Sequence, residues 1–231
     1  MTQLQRFTQI NTWVFDLDNT LYPQTSDLWP KIDMRITLFM MRMFGLDALS
    51  LRALQKHYYL RYGTTLRGLM TAHGIPASDF LEFVHDVDRT SLTPNHSLAT
   101  AIEKLEGRKL ILTNGSRDHA IKTARQLGLD HLFEEIFDIV AADFIAKPHA
   151  GAYERFFDRL KVDPQRAALF EDIDRNLIVP HQHGMTTILV LPAPGEKPER
   201  EDWEISEGSA THIDFVTDDL VGFLEALSVT G

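Results

Sequence analysis

The sequence predicts an α/β protein built from a parallel sheet and an inserted block of helices. Two observations predict this class. In residues 93–231, short apolar runs of β-forming residues alternate with helical patterns, which is typical of parallel strands joined by helical crossovers. Ahead of them, an apolar run at residues 13–15 is followed by about 65 residues of helical pattern without a strand, which is unusual within one sheet.

Each predicted element rests on a local pattern in the chain. The first strand is predicted over residues 12–16, because this run is apolar enough to be buried on both faces. Helices are predicted from residue 27 to residue 87, where apolar residues recur at three- and four-residue spacing. Residues 192–208, rich in proline, glycine and glutamate, are predicted to form a solvated loop. The remaining strands are predicted at 109–112, 137–140, 167–170, 186–191 and 213–216, and the remaining helices at 98–105, 118–127, 152–160, 175–183 and 218–227.

The strand-free helical block is interpreted as a separate cap over the carboxyl end of the first strand. The predicted cap comprises residues 23–92, and the predicted core comprises residues 1–22 and 93–231. Within the cap, Ser78 or Asp79 is predicted to cap the fourth helix, since short polar side chains accept hydrogen bonds from the first turn.

Composition excludes several classes of function. The 33 acidic and 23 basic residues give a net charge of −10, which argues against binding a nucleic acid polymer. There is no cysteine, so disulfides, thiolate nucleophiles and cysteine-based zinc sites are excluded. No apolar run approaches the ~20 residues of a membrane span, and the start of the chain lacks a signal-peptide pattern. We therefore expect a cytoplasmic monomer or homodimer that acts on a small molecule away from membranes.

Polar side chains follow four of the predicted strands, at the edge of the sheet where chemistry is expected. In open α/β sheets, ligands bind just beyond the carboxyl ends of the strands, so these groups are expected to meet at one edge. Asp16 and Asp18 point the same way along an extended segment. Two close carboxylates repel each other unless a cation lies between them, and Mg2+ takes oxygen ligands. The groups are Asp16 and Asp18; Thr113, Asn114 and Gly115; Lys147; and Glu171, Asp172 and Asn176.

Each group taken alone also has a purely structural explanation. Residues 16–19 are typical of a turn that caps the next helix, and residues 113–115 are typical of a turn. The pair at 147–148 suits a surface loop, and the pair at 171–172 suits a helix N-cap. The order of all four along the chain and their placement at strand ends favour a shared site.

Phosphoryl transfer is the reaction that these residue types fit. Asp16 can attack phosphorus and form an acyl-phosphate, and Asp18 can protonate the leaving oxygen and then deprotonate the attacking water. Thr113, with the backbone N–H groups of the glycine-containing turn after it, can bind the phosphoryl oxygens. Lys147 can neutralise charge that develops on those oxygens and on the nucleophile.

A magnesium site is predicted beside the nucleophile. Asp16, Asp172 and the backbone carbonyl of Asp18 are the predicted ligands, with water completing the shell. Asn176 is expected to hold a ligand water or to orient Asp172, and Glu171 is expected to lie just outside the ligands. If one ion binds both Asp16 and Asp172, their carboxyl groups are expected to lie within ~5 Å of each other.

With these residues in view, the sequence resembles the haloacid dehalogenase-like hydrolase superfamily over nearly its whole length. Residues 16–20, 113–115, 147–148 and 171–176 match the four motifs of that superfamily in order. The resemblance implies a Rossmann-like core with an inserted α-helical cap, Mg2+ dependence and an aspartyl-phosphate intermediate. It also implies a phosphatase rather than a dehalogenase, because the dehalogenases lack the acid at Asp18.

A closer resemblance is to the pyrimidine 5'-nucleotidase branch. Its similar segments are residues 15–23, 62–69, 85–88 and 144–148. This branch implies hydrolysis of nucleoside monophosphates such as UMP and CMP. The sequence departs from the common pattern at His149, at Ala150 and at Ile173, which leaves the exact substrate open. Phosphoglycolate phosphatase, sugar-phosphate phosphatase or mutase, and a non-catalytic module that binds phosphate stay as alternatives.

Three cap residues are candidates for substrate contact. Tyr62 or Arg67 could reach a base or sugar, although an amphipathic helix that exposes arginine and buries tyrosine has the same pattern. His85, just before the chain leaves the cap, suits either substrate contact or a hinge.

Overall fold

The computed structural model describes residues 3–196 and 210–228, with side chains from residue 6 to residue 227. Most of the predicted loop at residues 192–208 lies outside the described residues. None of the helices in the described ranges combines the length and the apolar composition needed to cross a bilayer.

Six parallel strands form the sheet in the described part of the chain, in the order β3-β2-β1-β4-β5-β6. The predicted α/β class with a parallel sheet is therefore confirmed. The first strand lies between the second and the fourth, so the strand order reverses beside it, and such a reversal opens a crevice at the carboxyl ends of the strands. The bounds are β1 Thr12–Phe15, β2 Arg108–Leu112, β3 Glu135–Phe137, β4 Ala167–Glu171, β5 Thr186–Val190 and β6 Phe215–Thr217.

The central strand β1 is buried on both faces, as its apolar sequence predicts. Trp13 and Phe15 pack into the apolar layer on one side of the sheet, and Val14 packs into the layer on the other. Phe15 stacks on Phe170 of β4 with ring centroids 4.7 Å apart. These layers hold the strand whose end carries Asp16.

The helices cover the sheet and form the block between β1 and β2. In the inserted block, α1, α2, α3 and α4 share an apolar cluster that includes Met40, Leu51, Tyr58 and Phe80. No strand interrupts this block, all of which is described. The division into cap and core at the stated bounds stays a prediction. The helices are α1 Leu28–Phe44, α2 Ala48–Tyr62, α3 Thr65–His73, α4 Ala77–His85, α5 His96–Glu103, α6 Arg117–Gln126, α7 Ala150–Leu160, α8 Ile178–Gln182 and α9 Leu220–Ser228.

Three local predictions were wrong. The helix α4 begins at Ala77, so Ser78 and Asp79 lie inside its first turn, and the preceding Pro76 makes no capping hydrogen bond through its side chain. Strand β3 ends at Phe137 because the chain then enters a turn. The helix predicted over residues 175–183 is divided into a 3-10 turn and α8, and Pro180, which lacks an N–H donor, occupies the first turn of α8.

The close packing of α2 on α3 depends on Gly68. A Cβ atom on Gly68 would lie 2.5 Å from Cβ and Cγ of Tyr58. We expect Gly68→Ala to lower the free energy of unfolding by about 1–3 kcal/mol, measured by urea denaturation. The matched control is Gly151→Ala in α7, where the nearest atom is the flexible end of Arg155, 3.1 Å away. Equal stability of the two variants would contradict this account of the packing.

Candidate active site

The predicted site residues meet at the carboxyl edge of β1, β2 and β4, beside the reversal of strand order. Asp16 comes directly after β1, and its N–H donates to the carbonyl of Phe170 over 2.9 Å. Thr113 comes after β2, and its N–H donates to the carbonyl of Phe137 over 3.0 Å. Asp172 comes after β4, and the side chains of all three site residues are buried. The parallel register thus places three distant segments at one edge.

A buried ammonium group joins these segments. Lys147 Nζ donates to Asp16 Oδ1 over 2.6 Å, to Glu171 Oε2 over 2.7 Å and to the carbonyl of Leu112 over 2.9 Å. An ammonium group has three donors, so all three are used. The backbone of Lys147 is held by the Asn114 amide, which accepts from its N–H over 2.9 Å and donates to its carbonyl over 3.1 Å. Asn114 thus holds the lysine through its backbone.

Glu171 is fixed by hydrogen bonds at both of its oxygens. Oε2 accepts from Lys147, and Oε1 accepts from the N–H of Ile173 and from Asn176 Nδ2, each over 3.1 Å. The carbonyl of Asn176 in turn accepts from Tyr153 over 2.6 Å. Asn176, expected to orient Asp172 or a ligand water, therefore makes its observed amide hydrogen bond to Glu171 and supports the lysine through it.

Three buried carboxylates form a cluster that can hold a divalent metal. Oxygen atoms of Asp16, Glu171 and Asp172 all lie within 4.8 Å of one another. Hard cations such as Mg2+ and Ca2+ take oxygen ligands of this kind. The distance is also within the ~5 Å expected for ligands of one ion.

The pKa shifts of Asp16 and Lys147 also reflect the excess of carboxylates over positive charge in the site. Burial, together with the charge of Glu171, raises the pKa of Asp16 to about 7, although Lys147 opposes this shift. Burial would lower the pKa of Lys147, but the charges of Asp16 and Glu171 outweigh it and raise that pKa. One ammonium group does not neutralise the clustered carboxylates, so a bound cation would favour ionised Asp16.

Asp18 receives two hydrogen bonds on the same oxygen. Tyr22 donates its hydroxyl to Oδ1 over 2.7 Å, and His119 Nε2 lies 2.8 Å from the same atom. Burial favours the neutral acid, but the interaction with His119 and the hydrogen bonds from His119 and Tyr22 outweigh it and lower the pKa of Asp18 to about 2. The other oxygen, Oδ2, lies on the side of Gly115, 3.7 Å from where a Cβ atom of that glycine would be.

His119 was not predicted from the sequence. This side chain is fully buried and lies in the first turn of α6, whose N-cap Ser116 accepts from the N–H of His119 over 3.3 Å. The available signal was position alone, because the first turn after residues 113–115 lies beside the strand end. A histidine there is otherwise unremarkable in sequence.

His85 links the helical block to this network. It ends α4, its ring stacks on His119 with centroids 4.5 Å apart, and its Nδ1 lies 2.9 Å from Ser116 Oγ. Burial, together with the neighbouring His119, lowers the pKa of His85 to about 3. His85 is therefore neutral at physiological pH.

A cavity of about 380 Å³ opens between the carboxyl edge of the sheet and the helical block. Asp16, Asp18 and Lys147 line one side of it. Of the three candidate cap contacts, His85 lines the cavity, whereas Tyr62 and Arg67, both described, do not line it. Contact of either with a substrate stays a prediction. Polar and aromatic residues of the helical block on the cavity wall instead include Trp29, Asp33, Arg52, Gln55, Lys56 and Tyr59.

Comparison with known proteins places the chain in a family. Residues 10–184 match the model of the haloacid dehalogenase-like hydrolases. The chain belongs to this family of hydrolases, so the superfamily resemblance stated from the sequence is confirmed.

Individual relatives add detail to this placement. Phosphate metabolism protein 8 of Saccharomyces cerevisiae is 27% identical over 157 residues, which are 61% of this chain and 48% of that protein. The match thus spans about half the length of the yeast protein. Among solved structures, an L-2-haloacid dehalogenase from Xanthobacter autotrophicus has a TM-score of 0.58 at 18% identity, covering 96% of this chain and 99% of its own. A haloacid dehalogenase-like family protein from Streptococcus pneumoniae has a TM-score of 0.57 at 15% identity. That match covers 95% of this chain and 99% of the other protein's chain. At these identities the two structures show the shared fold.

His85 is expected to make stability depend on pH. Its pKa of about 3 in the folded chain lies below the value of about 6.5 in an unfolded chain, so its contribution is fully present above pH 6.5 and is lost as the pH falls toward 3. We expect His85→Asn, which keeps a polar atom near Ser116, to lessen the loss of stability between pH 6.5 and pH 4, by up to about 1.4 kcal/mol per pH unit. The measurement is a series of urea denaturations across that range.

The control for this experiment is His131→Asn, at an exposed histidine. It is expected to keep the wild-type pH profile. A His85→Asn protein with the same pH dependence as the wild type would show that His85 is not the group responsible.

Proposed function

We propose that this hydrolase is a Mg2+-dependent phosphatase that cleaves small phosphate monoesters through an aspartyl-phosphate on Asp16. The observation that carries the proposal is the environment of Asp16. One of its oxygens is bound by Lys147, its carboxylate adjoins the buried acids Glu171 and Asp172, and Asp18 lies at the same edge. A nucleophile, an acid-base group and a metal-binding cluster are thereby adjacent.

In the first step, a carboxylate oxygen of Asp16 forms a bond to phosphorus while the bond from phosphorus to the alcohol oxygen breaks. Asp18 gives its proton to that leaving oxygen. A bound phosphoryl group adds negative charge beside Asp18 and raises its pKa, which is the direction that this role requires. The products of the step are the free alcohol and phosphorylated Asp16.

In the second step, Asp18 takes a proton from water, and the water oxygen bonds to phosphorus. The acyl-phosphate bond to Asp16 breaks, which releases inorganic phosphate and restores both carboxyl groups to their starting state. Lys147 stays hydrogen-bonded to Asp16 Oδ1 and stabilises the carboxylate as the leaving group of this step. Thr113 and backbone N–H groups of the turn that follows it bind the phosphoryl oxygens. Mg2+, held by Asp16, Asp172 and the backbone carbonyl of Asp18, would screen the charge between nucleophile and phosphate.

Asp18 favours an oxygen leaving group over a halide. A halide departs as a stable anion without a proton, whereas an alkoxide needs one. The likeness to dehalogenase structures concerns the fold, and an acid two residues after the nucleophile has a role in ester cleavage. This supports a phosphatase within the family.

We further propose a nucleoside 5'-monophosphate, most simply a pyrimidine nucleotide, as substrate. The cavity of about 380 Å³ lies at the small end of the range for small-molecule sites, which suits a small phosphate ester. Trp29 offers a flat apolar surface for a base, and Asp33 and Gln55, joined by a 2.6 Å hydrogen bond, offer polar groups. The Tyr59 ring on the same wall carries the Arg175 guanidinium 4.4 Å from its centroid. The name of the yeast relative, a phosphate metabolism protein, agrees with a phosphorylated substrate.

The nucleophile can be tested by activity. The purified protein is expected to hydrolyse p-nitrophenyl phosphate with Mg2+ and to lose that activity with EDTA. Asp16→Asn is expected to lower kcat at least about a thousandfold, because an amide is a poor nucleophile. Asp158→Asn, at an exposed surface acid, is the control. Wild-type turnover by Asp16→Asn would show that the nucleophile is assigned wrongly.

A substrate panel separates the remaining alternatives. It contains UMP, CMP, phosphoglycolate and hexose phosphates, each with Mg2+ present. Preference for the nucleotides supports the proposal, and preference for phosphoglycolate contradicts the nucleotide assignment. An isomerised hexose phosphate would indicate a mutase, and Mg2+ binding without turnover of any ester would indicate a binding module.

Metal binding can be tested without activity. Since a ligand stabilises the state that binds it, Mg2+ at a hundred times its dissociation constant is expected to raise the Tm by roughly 5–10 °C. Asp172→Asn is expected to remove most of this increase, and Asp158→Asn is expected to retain it. Calorimetry or dye-based melting measures the shift. An unchanged Mg2+ effect in Asp172→Asn would contradict the predicted metal site.

A further inference from the structure

His119 lies between two charged groups in the interior. Its side chain is fully buried, with Nε2 2.8 Å from Asp18 Oδ1 and Nδ1 2.9 Å from an Arg89 guanidinium nitrogen. The proposed phosphatase reaction assigns no role to either His119 or Arg89. The three side chains form a continuous chain of hydrogen bonds that ends at the proposed acid.

Arg89 determines which nitrogen of His119 carries the proton. A guanidinium group has N–H donors and no acceptor, so Nδ1 of His119 must accept its hydrogen bond and is unprotonated. In the neutral ring the proton then lies on Nε2, which donates to Asp18 Oδ1. The arginine therefore sets the direction of every hydrogen bond in the chain.

Arg89 is itself held in place by other partners. It donates to the carbonyls of Val87 and His85 over 2.9 and 3.1 Å, and to Thr123 Oγ1 over 3.2 Å. The ring of His119 is confined by the stacked ring of His85. The position of both groups is therefore set before any substrate binds.

These hydrogen bonds make the two carboxylate oxygens of Asp18 unequal. Oδ1 accepts from both His119 and Tyr22, so it has no room for a proton of its own. When Asp18 is protonated, the proton lies on Oδ2, the oxygen on the side of Gly115 in the predicted phosphate-binding turn. This is the oxygen that a leaving group would meet.

We propose that His119 is a positioning residue that directs the proton of Asp18 toward the leaving group. Arg89 holds it in the Nε2–H form, and it occupies Oδ1 so that Oδ2 carries the proton. The inference rests on the proposed function, in which Asp18 is the acid of the first step.

Two variants at position 119 separate this role from simple packing. In His119→Asn, the amide can occupy the place of Nδ1 and accept from Arg89, but it does not reach Asp18. In His119→Gln, the amide nitrogen can reach the place of Nε2 and donate to Asp18. The pair thus differs in the hydrogen bond that the proposal depends on.

The measurement is kcat/KM with Mg2+ for two esters that differ in their need for a proton. The p-nitrophenolate of p-nitrophenyl phosphate leaves readily as an anion, whereas the ethoxide of ethyl phosphate must be protonated. We expect His119→Asn to lose about 10²–10⁴-fold on ethyl phosphate and less than about tenfold on p-nitrophenyl phosphate. His119→Gln is expected to recover most of the loss on ethyl phosphate.

Other outcomes would overturn the inference. Equal losses on both esters, or His119→Gln no better than His119→Asn, would assign His119 a structural role only. If His119→Asn has a normal kcat/KM on both esters and Asp16→Asn is inactive, the proposed function is retained and this inference alone is rejected. A wild-type protein inactive on both esters would reject the proposed function and the inference together.

A measurement on the wild-type protein does not depend on whether a variant folds. With ¹⁵N-labelled histidine, NMR reports which ring nitrogen of His119 is protonated. The expected result is a proton on Nε2 and none on Nδ1. A proton on Nδ1, alone or together with one on Nε2, would overturn the inference.

Discussion

The site depends on the hydrogen bonds and ion pairs that the buried ammonium group of Lys147 makes. It joins Asp16 from the end of β1, Glu171 from the end of β4 and the carbonyl of Leu112 from β2. Removing one partner of such a buried ion pair typically costs about 3–5 kcal/mol, because the other partner is left uncompensated. Asn114 holds Lys147 and Asn176 holds Glu171, so Asp16, the proposed nucleophile, is fixed by contacts that join β1 to its neighbours β2 and β4.

The charge of the site explains why a cation fits it. Lys147 supplies one positive charge beside the buried acids Asp16, Glu171 and Asp172. Burial, together with the charge of Glu171, raises the pKa of Asp16 although the lysine opposes this shift. A phosphate monoester would add further negative charge to this group. Binding both a divalent cation and the ester brings the local sum nearer to neutral, although the whole chain carries a charge of −10.

The site residues at strand ends were predictable from the sequence, whereas the residues that tertiary packing brings to the site were not. The ends of β1, β2 and β4 carry the predicted groups, because the carboxyl ends of parallel strands share an edge. His119 and Asp18 are 101 residues apart, and His119 and Arg89 are 30 apart, so no local pattern joins them.

The cavity wall shows a second limit of prediction. Whether α2 presents Tyr62 or Tyr59 to the cavity depends on the rotation of the helix about its axis. That rotation is set by buried contacts of Leu51, Gln55 and Tyr58 with other helices. The hydrophobic pattern of α2 is weak, so the sequence does not specify it. The bounds of β3 and α8 were misplaced for the related reason that turn geometry and a proline overrode a continuous pattern.

The pairing of β1 with β4 has a consequence for how the protein is made. A ribosome completes Asp16 early, but Asp172 emerges only after 172 − 16 = 156 further residues have been added. Until β4 docks beside β1, a nascent chain has the proposed nucleophile without Glu171 to hold Lys147 and without the second carboxylate for a metal. Under the proposed mechanism, truncated translation products that end before β4 would therefore lack activity.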